Sequence, residues 1–274
     1  MRSHLTPRLA RVVKHSAVAL DRVRGVRNGV VVLIYHRVGG GSGIEVDLNP
    51  AAFEDQVGWL AEGGRVCTLD AALRVLADPN PPAIDPIVVT FDDGTADFAE
   101  VAVPILERHR VPALMYLATD FVERGIDFAD AGRPLSWAAA RDCRATGLIE
   151  FGSHTHTHAL LDRLAPNEAE LELDRSIGLI ADRLGCAAPH FAYPKAVAPS
   201  ARVEQLVRTR FRSAALAGTR TNRYGATDPY RIARSPVQSS DGFDFFVRKA
   251  SGGMALEDSL RRAANRIRYA RATS

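Results

Sequence analysis

The chain of 274 residues is poor in cysteine. Its three thiols, Cys67, Cys143 and Cys186, lie far apart and form no Cys-x-x-Cys pair. That excludes a zinc knuckle and a disulfide framework, so each thiol reads as a small apolar core residue. The pattern fits a reducing compartment. Long apolar runs are also missing, so no transmembrane span is expected. Ala17-Val18-Ala19-Leu20 is too short for the apolar segment of a secretory signal, and no Ala-x-Ala-like site follows it. The expectation is a cytoplasmic protein. No Gly-x-Ser-x-Gly elbow occurs, which argues against a serine hydrolase of that type. Gly39-Gly40-Gly41-Ser42-Gly43 lacks both a Walker Lys-Ser/Thr and the GxGxxG spacing, so it reads as a flexible loop rather than a phosphate cradle.

Positive charge is scarce in the body of the chain. Residues 1–27 hold seven Lys/Arg against Asp21 alone, and residues 256–274 hold five Arg against Glu257 and Asp258. Taking these from the 35 basic and 32 acidic residues of the chain leaves the body with 23 basic and 29 acidic ones. The basic pI of about 8.9 therefore belongs to the ends. A body of that sign is not a nucleic-acid surface, because phosphate contacts need a positive face. Residues 1–28 read as a basic amphipathic helix over 6–24. Thr6 sits at its N-cap, Pro7 in its first turn, and Leu9, Val12, Val13, Leu20 and Val23 form one stripe. The first reading packs it on the body. The competing one lays it peripherally on an anionic inner-membrane surface. Residues 251–274 hold a second basic helix, over 256–271.

What is present in residues 29–250 is alternation of strand and helix. Strands are expected at 29–36, 65–68, 87–91, 112–117, 148–153, 190–193 and 211–216. Helices are expected at 53–62, 69–77, 96–108, 137–145, 166–184, 200–209 and 243–249. Residues 120–134 read as irregular, and residues 218–242 as punctuated by Gly, Asn and Pro. This alternation predicts a parallel sheet, open or closed. Four expected strands end in reactive groups: His36, Asp92 with Asp93, His154 to His158, and Tyr193. In a parallel barrel those ends share one rim.

Thr90-Phe91-Asp92-Asp93-Gly94 ends one such strand with two adjacent carboxylates. Alternation points them differently, so one can bind a metal while the other handles a proton. A helix N-cap is the plainer reading of the pair. Three of the eight histidines fall at 154, 156 and 158. Two His and a carboxylate make an open metal site with room for water, and Asp93, His154 and His158 are that set. His156 reads as a neighbour of the site rather than a ligand.

TFDDG at 90–94 followed by SHTHTH at 153–158 resembles the polysaccharide deacetylase family with the NodB homology domain, carbohydrate esterase family 4. HFAYPKA at 190–196 is similar to that family's third motif. Ile34-Tyr35-His36-Arg37-Val38 resembles an element of the branch in which a YHRV segment precedes TFDDG. The resemblance implies a distorted (β/α)7 barrel. It implies Asp92 as general base and His36 as general acid. It implies Asp93, His154 and His158 on one divalent metal, zinc ahead of cobalt or nickel. Thr155 would support the ligand loop, with Tyr193, Pro194 and Lys195 on the substrate and oxyanion side. The usual Arg of the third motif is Ala192 here, and its usual Tyr and Gly are Lys195 and Ala196. The activity implied is removal of an N-acetyl group from an acetamido sugar, with an N-acetylated carbohydrate as partner. Competing readings are an O-acetyl esterase and a non-catalytic carbohydrate-binding or membrane-docking barrel.

Overall fold

Runs such as Val30-Val31-Val32-Leu33-Ile34 carry apolar side chains on both faces, which suits strands covered on both sides. In the computed structural model, which describes residues 14–18, 21, 25, 28–78 and 80–256, these runs form a closed parallel barrel. Its seven strands are β1 (Val31–Tyr35), β4 (Ile87–Phe91), β5 (Ala113–Leu117), β6 (Ile149–Ser153), β7 (His190–Ala192), β8 (Ser213–Ala217) and β9 (Ile232–Pro236). β1 pairs with β4 from Val31↔Ile87 to Tyr35↔Phe91, and with β9 through Leu33↔Ser235, which closes the ring. Closure leaves no open sheet edge. Two short strands, β2 (Arg37–Val38) and β3 (Asp47–Leu48), pair separately beside the rim.

Alternation divides the core in two. Val30, Val32, Val88, Leu114, Tyr116, Ala192, Ala215 and Ile232 gather inside with Leu69, Ala72 and Leu76. Val31, Leu33, Tyr35, Val89, Phe91, Met115, Leu117 and Phe151 face the helix layer. Each fully buried Val, Leu or Phe there contributes roughly 1.5–3 kcal/mol. The helices are α1 (Pro50–Glu62), α2 (Leu69–Ala77), α3 (Val103–His109), α4 (Thr119–Arg124), α5 (Trp137–Ala145), α6 (Pro166–Leu184), α7 (Ala201–Arg210) and α8 (Gly242–Ala250). Asn49, Thr68, Ser136 and Ser200 cap α1, α2, α5 and α7 with their side-chain oxygens.

Besides the short pair β2 and β3, the structure departs from the expected elements in four places. β9 runs through a stretch that reads as punctuated loop, because Arg234 and Pro236 both argue against a strand. Pro236 is tolerated at the strand end, where Val237 N–H takes over and donates to Ile34 O at 3.0 Å. The expected helix 96–108 opens with a π-helical turn, Phe98–Ala102, before α3. Pro104 has no N–H for an α-helical bond to residue 100, and the wider turn absorbs that loss. Residues 65–68 make only a bridge, Val66↔Ile87. Residues 120–124 of the expected irregular stretch are helical, within α4. The terminal helices expected at 6–24 and 256–271 fall largely outside the described residues. Within the first, Lys14–Val18 are helical.

Candidate active site

β4 delivers Asp92 and Asp93 to the rim, and the chain turns at once. Asp93 adopts a left-handed backbone with φ 73°, and Gly94 follows at φ 96°. The positive φ favours glycine there, and a Cβ would also have to displace Leu117 Cδ2, 2.6 Å away. Thr155 (φ 65°), His158 (φ 60°) and Lys195 (φ 53°) are also left-handed. Such conformations cost non-glycine residues roughly 1–2 kcal/mol each, and at functional sites the surrounding structure holds them in place.

Asp92 is buried, at 3% exposure. Arg234 of β9 grips it with two bonds, Nη1 donating to Oδ1 at 2.6 Å and Nη2 to Oδ2 at 2.8 Å. The guanidinium is itself held. Its Nη1 donates to Thr90 Oγ1 at 3.2 Å, Nε donates to Leu216 O at 3.3 Å, and the Tyr116 ring lies 5.0 Å away. Burial alone would raise the Asp92 carboxyl. Arg234, with His154 and His36 behind it, overrides burial and holds Asp92 well below the usual carboxylate range. Burial likewise works against ionised Asp93, and His36, His158 and His154 together hold that carboxyl down.

His154 is fixed from both ends. Its backbone N–H donates to Leu117 O at 2.8 Å, and its Nδ1–H donates to Ala192 O at 2.8 Å. A carbonyl can only accept, so Nδ1 carries the proton and Nε2 presents a lone pair. That Nε2 lies 3.6 Å from Asp93 Oδ1 and 3.7 Å from Asp92 Oδ2. His158 Nε2 lies 3.4 Å from Asp93 Oδ1, with its ring edge-on to His154 at 4.9 Å. Burial pushes the His158 imidazole down to about 4, helped by His154 and by Lys195. Burial also lowers His154, so both rings are neutral at neutral pH. One donor atom from each of Asp93, His154 and His158 lies within 4.8 Å of the others. Two neutral imidazoles and an ionised carboxylate, with the tautomer of one ring enforced, fit a divalent metal such as zinc.

His156 points away from this set. Its Nδ1 meets Thr119 Oγ1 at 3.0 Å, and its Nε2 lies 3.4 Å from Asp120 Oδ1. Thr155 is buried and donates from Oγ1 to His154 O at 2.6 Å. His36 directly follows β1 on the same rim, half-buried, with Nδ1 buried and unpartnered. The ring of Tyr193 packs with Phe191, Leu161 and Leu173 on the helix side, so only its backbone borders the rim. Pro194 is buried beside it, and Lys195 is exposed near His158. Trp137 packs against the core and donates from Nε1 to Glu123 Oε2 at 2.7 Å.

Arg234 is the site residue that sequence reasoning missed. It stands 142 positions from Asp92, on a strand that its own presence disguises. The available signal was Ala192, a small residue where the third motif usually carries Arg. In this chain a guanidinium reaches Asp92 from β9.

A family model described as polysaccharide deacetylase matches residues 80–213. A Bacillus subtilis (strain 168) protein named for the polysaccharide deacetylases, YxkH, is 22% identical over 219 residues, covering 79% of this chain and 75% of that one. The poly-beta-1,6-N-acetyl-D-glucosamine N-deacetylase of Escherichia coli (strain K12) is 26% identical over 139 residues, 47% of this chain and 21% of that protein. Among solved structures, the Streptococcus pyogenes deacetylase PplD superposes with a TM-score of 0.72 at 20% identity, covering 81% of this chain and 98% of that one.

Proposed function

We propose that this chain is a member of the polysaccharide deacetylase family, whose model matches residues 80–213, and that it is a metal-dependent hydrolase that removes the N-acetyl group of an acetamido sugar. One observation carries the reading. Two adjacent carboxylates have unlike partners: Asp92 is gripped by Arg234, and Asp93 joins His154 and His158. When bound to that set, a divalent ion supplies a Lewis acid and lowers the pKa of a water.

The residues of the chain do the rest. Asp92 accepts the proton of the attacking water, through the lone pairs that Arg234 leaves free. Its low basicity is offset by orientation, since both carboxylate oxygens are pinned by one rigid fork. As the carbonyl carbon becomes tetrahedral, charge grows on its oxygen, and the Lys195 backbone N–H stabilises it. His36 gives a proton to the nitrogen as the C–N bond breaks, so acetate and a free amine leave. The E. coli relative acts, by its name, on an N-acetylated glucosamine polymer, which supports the sugar as substrate class.

The test is acetate release from N-acetylglucosamine oligomers, from N-acetylated lipid-linked or small glycosides, and from O-acetyl sugars. Each is assayed with zinc and with chelator. Zinc-dependent release from at least one N-acetyl substrate is expected. Release from O-acetyl sugars alone would reassign the protein as an esterase. Metal binding with no release from any substrate would leave only a binding barrel.

A further inference from the structure

The three ligand side chains are not carried alike. Asp93 sits at the end of β4, and its carbonyl accepts from Ala118 N–H at 3.0 Å. His154 continues β6 and is locked to β5 and β7. His158 stands four residues further out, beyond two left-handed positions if its own is counted, on a loop that has left the sheet. α4 holds one side of that loop, where Asp120 N–H donates to His156 O at 2.8 Å, and its other side must be fixed as well.

Glu172 of α6 is placed to do so. One carboxylate oxygen, Oε2, accepts from His156 N–H at 3.0 Å and from Thr157 N–H at 2.8 Å. The other, Oε1, accepts from the Thr157 hydroxyl at 2.9 Å. Three donors from two consecutive residues thus converge on one side chain. One turn along the same helix, Ser176 Oγ meets Ser153 Oγ at 2.6 Å, and Ser153 Oγ accepts from Thr155 N–H at 3.3 Å. The spacing of 172 and 176 puts both on one helical face, turned to the loop. A carboxylate accepting backbone N–H groups makes charge-assisted bonds, stronger than neutral ones. α6 is also well anchored, with Ala169, Leu173, Ile180 and Leu184 buried.

We propose that Glu172 is a positioning residue that sets the ligand loop in metal-binding geometry, so that α6 determines how tightly His158 completes the site. The proposal rests on the metal reading of Asp93, His154 and His158. Glu172 touches neither ion nor substrate. It acts through the 156–157 backbone, and its loss releases His158 while leaving Asp93 and His154 in place.

The experiment measures zinc affinity by competition with a chromophoric chelator on the full-length protein. Glu172→Ala is expected to weaken zinc binding by about 10- to 100-fold, the loss typical when support of a metal ligand is removed. Glu172→Gln keeps acceptor oxygen but loses charge, and a smaller loss is expected. Thr157→Val removes only the hydroxyl contact and should fall between Gln and wild type. Glu170→Ala loses its solvent-side pairing with Arg210 on the same helix and should leave the affinity unchanged. Saturating zinc should restore kcat to Glu172→Ala, which a residue touching substrate would not allow. Should the Ala variant fail to fold, the Gln and Val variants carry the test. Affinities within twofold of wild type across the folded Glu172 and Thr157 variants would overturn the proposal, as would wild-type protein that binds no zinc. Wild-type protein that binds zinc and releases no acetate would sink the deacetylase reading and leave this one standing.

Discussion

At the scale of single residues, the pair of Arg234 and Asp92 is the most consequential contact. Both are buried, so each is tolerable only because of the other. Arg234→Met should strand an unpaired carboxylate and destabilise the fold by about 3 kcal/mol or more. Adding Asp92→Asn to that variant should recover part of the loss, because the stranded charge is gone. Urea unfolding of the two single variants and the double variant measures this. Equal stability of Arg234→Met with and without Asp92→Asn would deny the coupling. The sequence made half of this legible. Asp92, Asp93, His154 and His158 announce themselves because each cluster is local, within two or five residues. Arg234 does not, because nothing near it in sequence refers to Asp92. Tyr193 was legible as a strand end but not as a ring facing outward, since a shift of one residue in a three-residue strand reverses the faces.

At the scale of elements, β9 is the barrel strand that the sequence concealed. It carries Arg and Pro, so it does not show the apolar periodicity of β1 or β4. β7, legible at 190–193, carries a buried titratable group away from the rim. His190 meets Ser213 Oγ through Nδ1 at 2.9 Å, and its Nε2 lies 3.4 Å from Asp70 Oδ1. Burial pushes its imidazole down to about 4, with Asp70 opposing and Arg212 assisting. The unfolded chain binds that proton near the ordinary pKa of about 6.5. Between those values the unfolded state holds more protons than the folded one. His190 therefore costs no stability above pH 6.5, and destabilises the fold progressively as pH falls toward 4. His158 adds to the same decline in metal-free protein. Chemical unfolding in chelator, at pH 7 and pH 4.5, should show His190→Gln losing on the order of 2 kcal/mol less than wild type. Parallel losses in the two proteins would contradict this.

At the scale of the whole molecule, the division of charge between ends and body acquires a structural side. Lys14 is buried and pairs with Asp241 at 2.8 Å, and Asp241 also accepts from Lys249. Ala17 and Val18 pack with Met254 and Phe245. The described residues of the N-terminal basic segment thus set one charge and a little apolar surface against the body. No helix among the described residues is long and apolar enough to cross a membrane. Around the barrel, far-separated segments reach one rim because every strand runs the same way. That convergence is what the alternation of strand and helix predicts for strand-end groups. The claim that rests on it is that Asp92 works as base while its neighbour Asp93 holds the ion. The direct measurement is zinc content and acetate release, side by side, for wild type, Asp92→Asn and Asp93→Asn. The account expects Asp92→Asn to keep its zinc and lose turnover by 10²-fold or more, on the order of a general base's contribution, and Asp93→Asn to lose both. Turnover surviving in Asp92→Asn, or full zinc occupancy in Asp93→Asn, would contradict it.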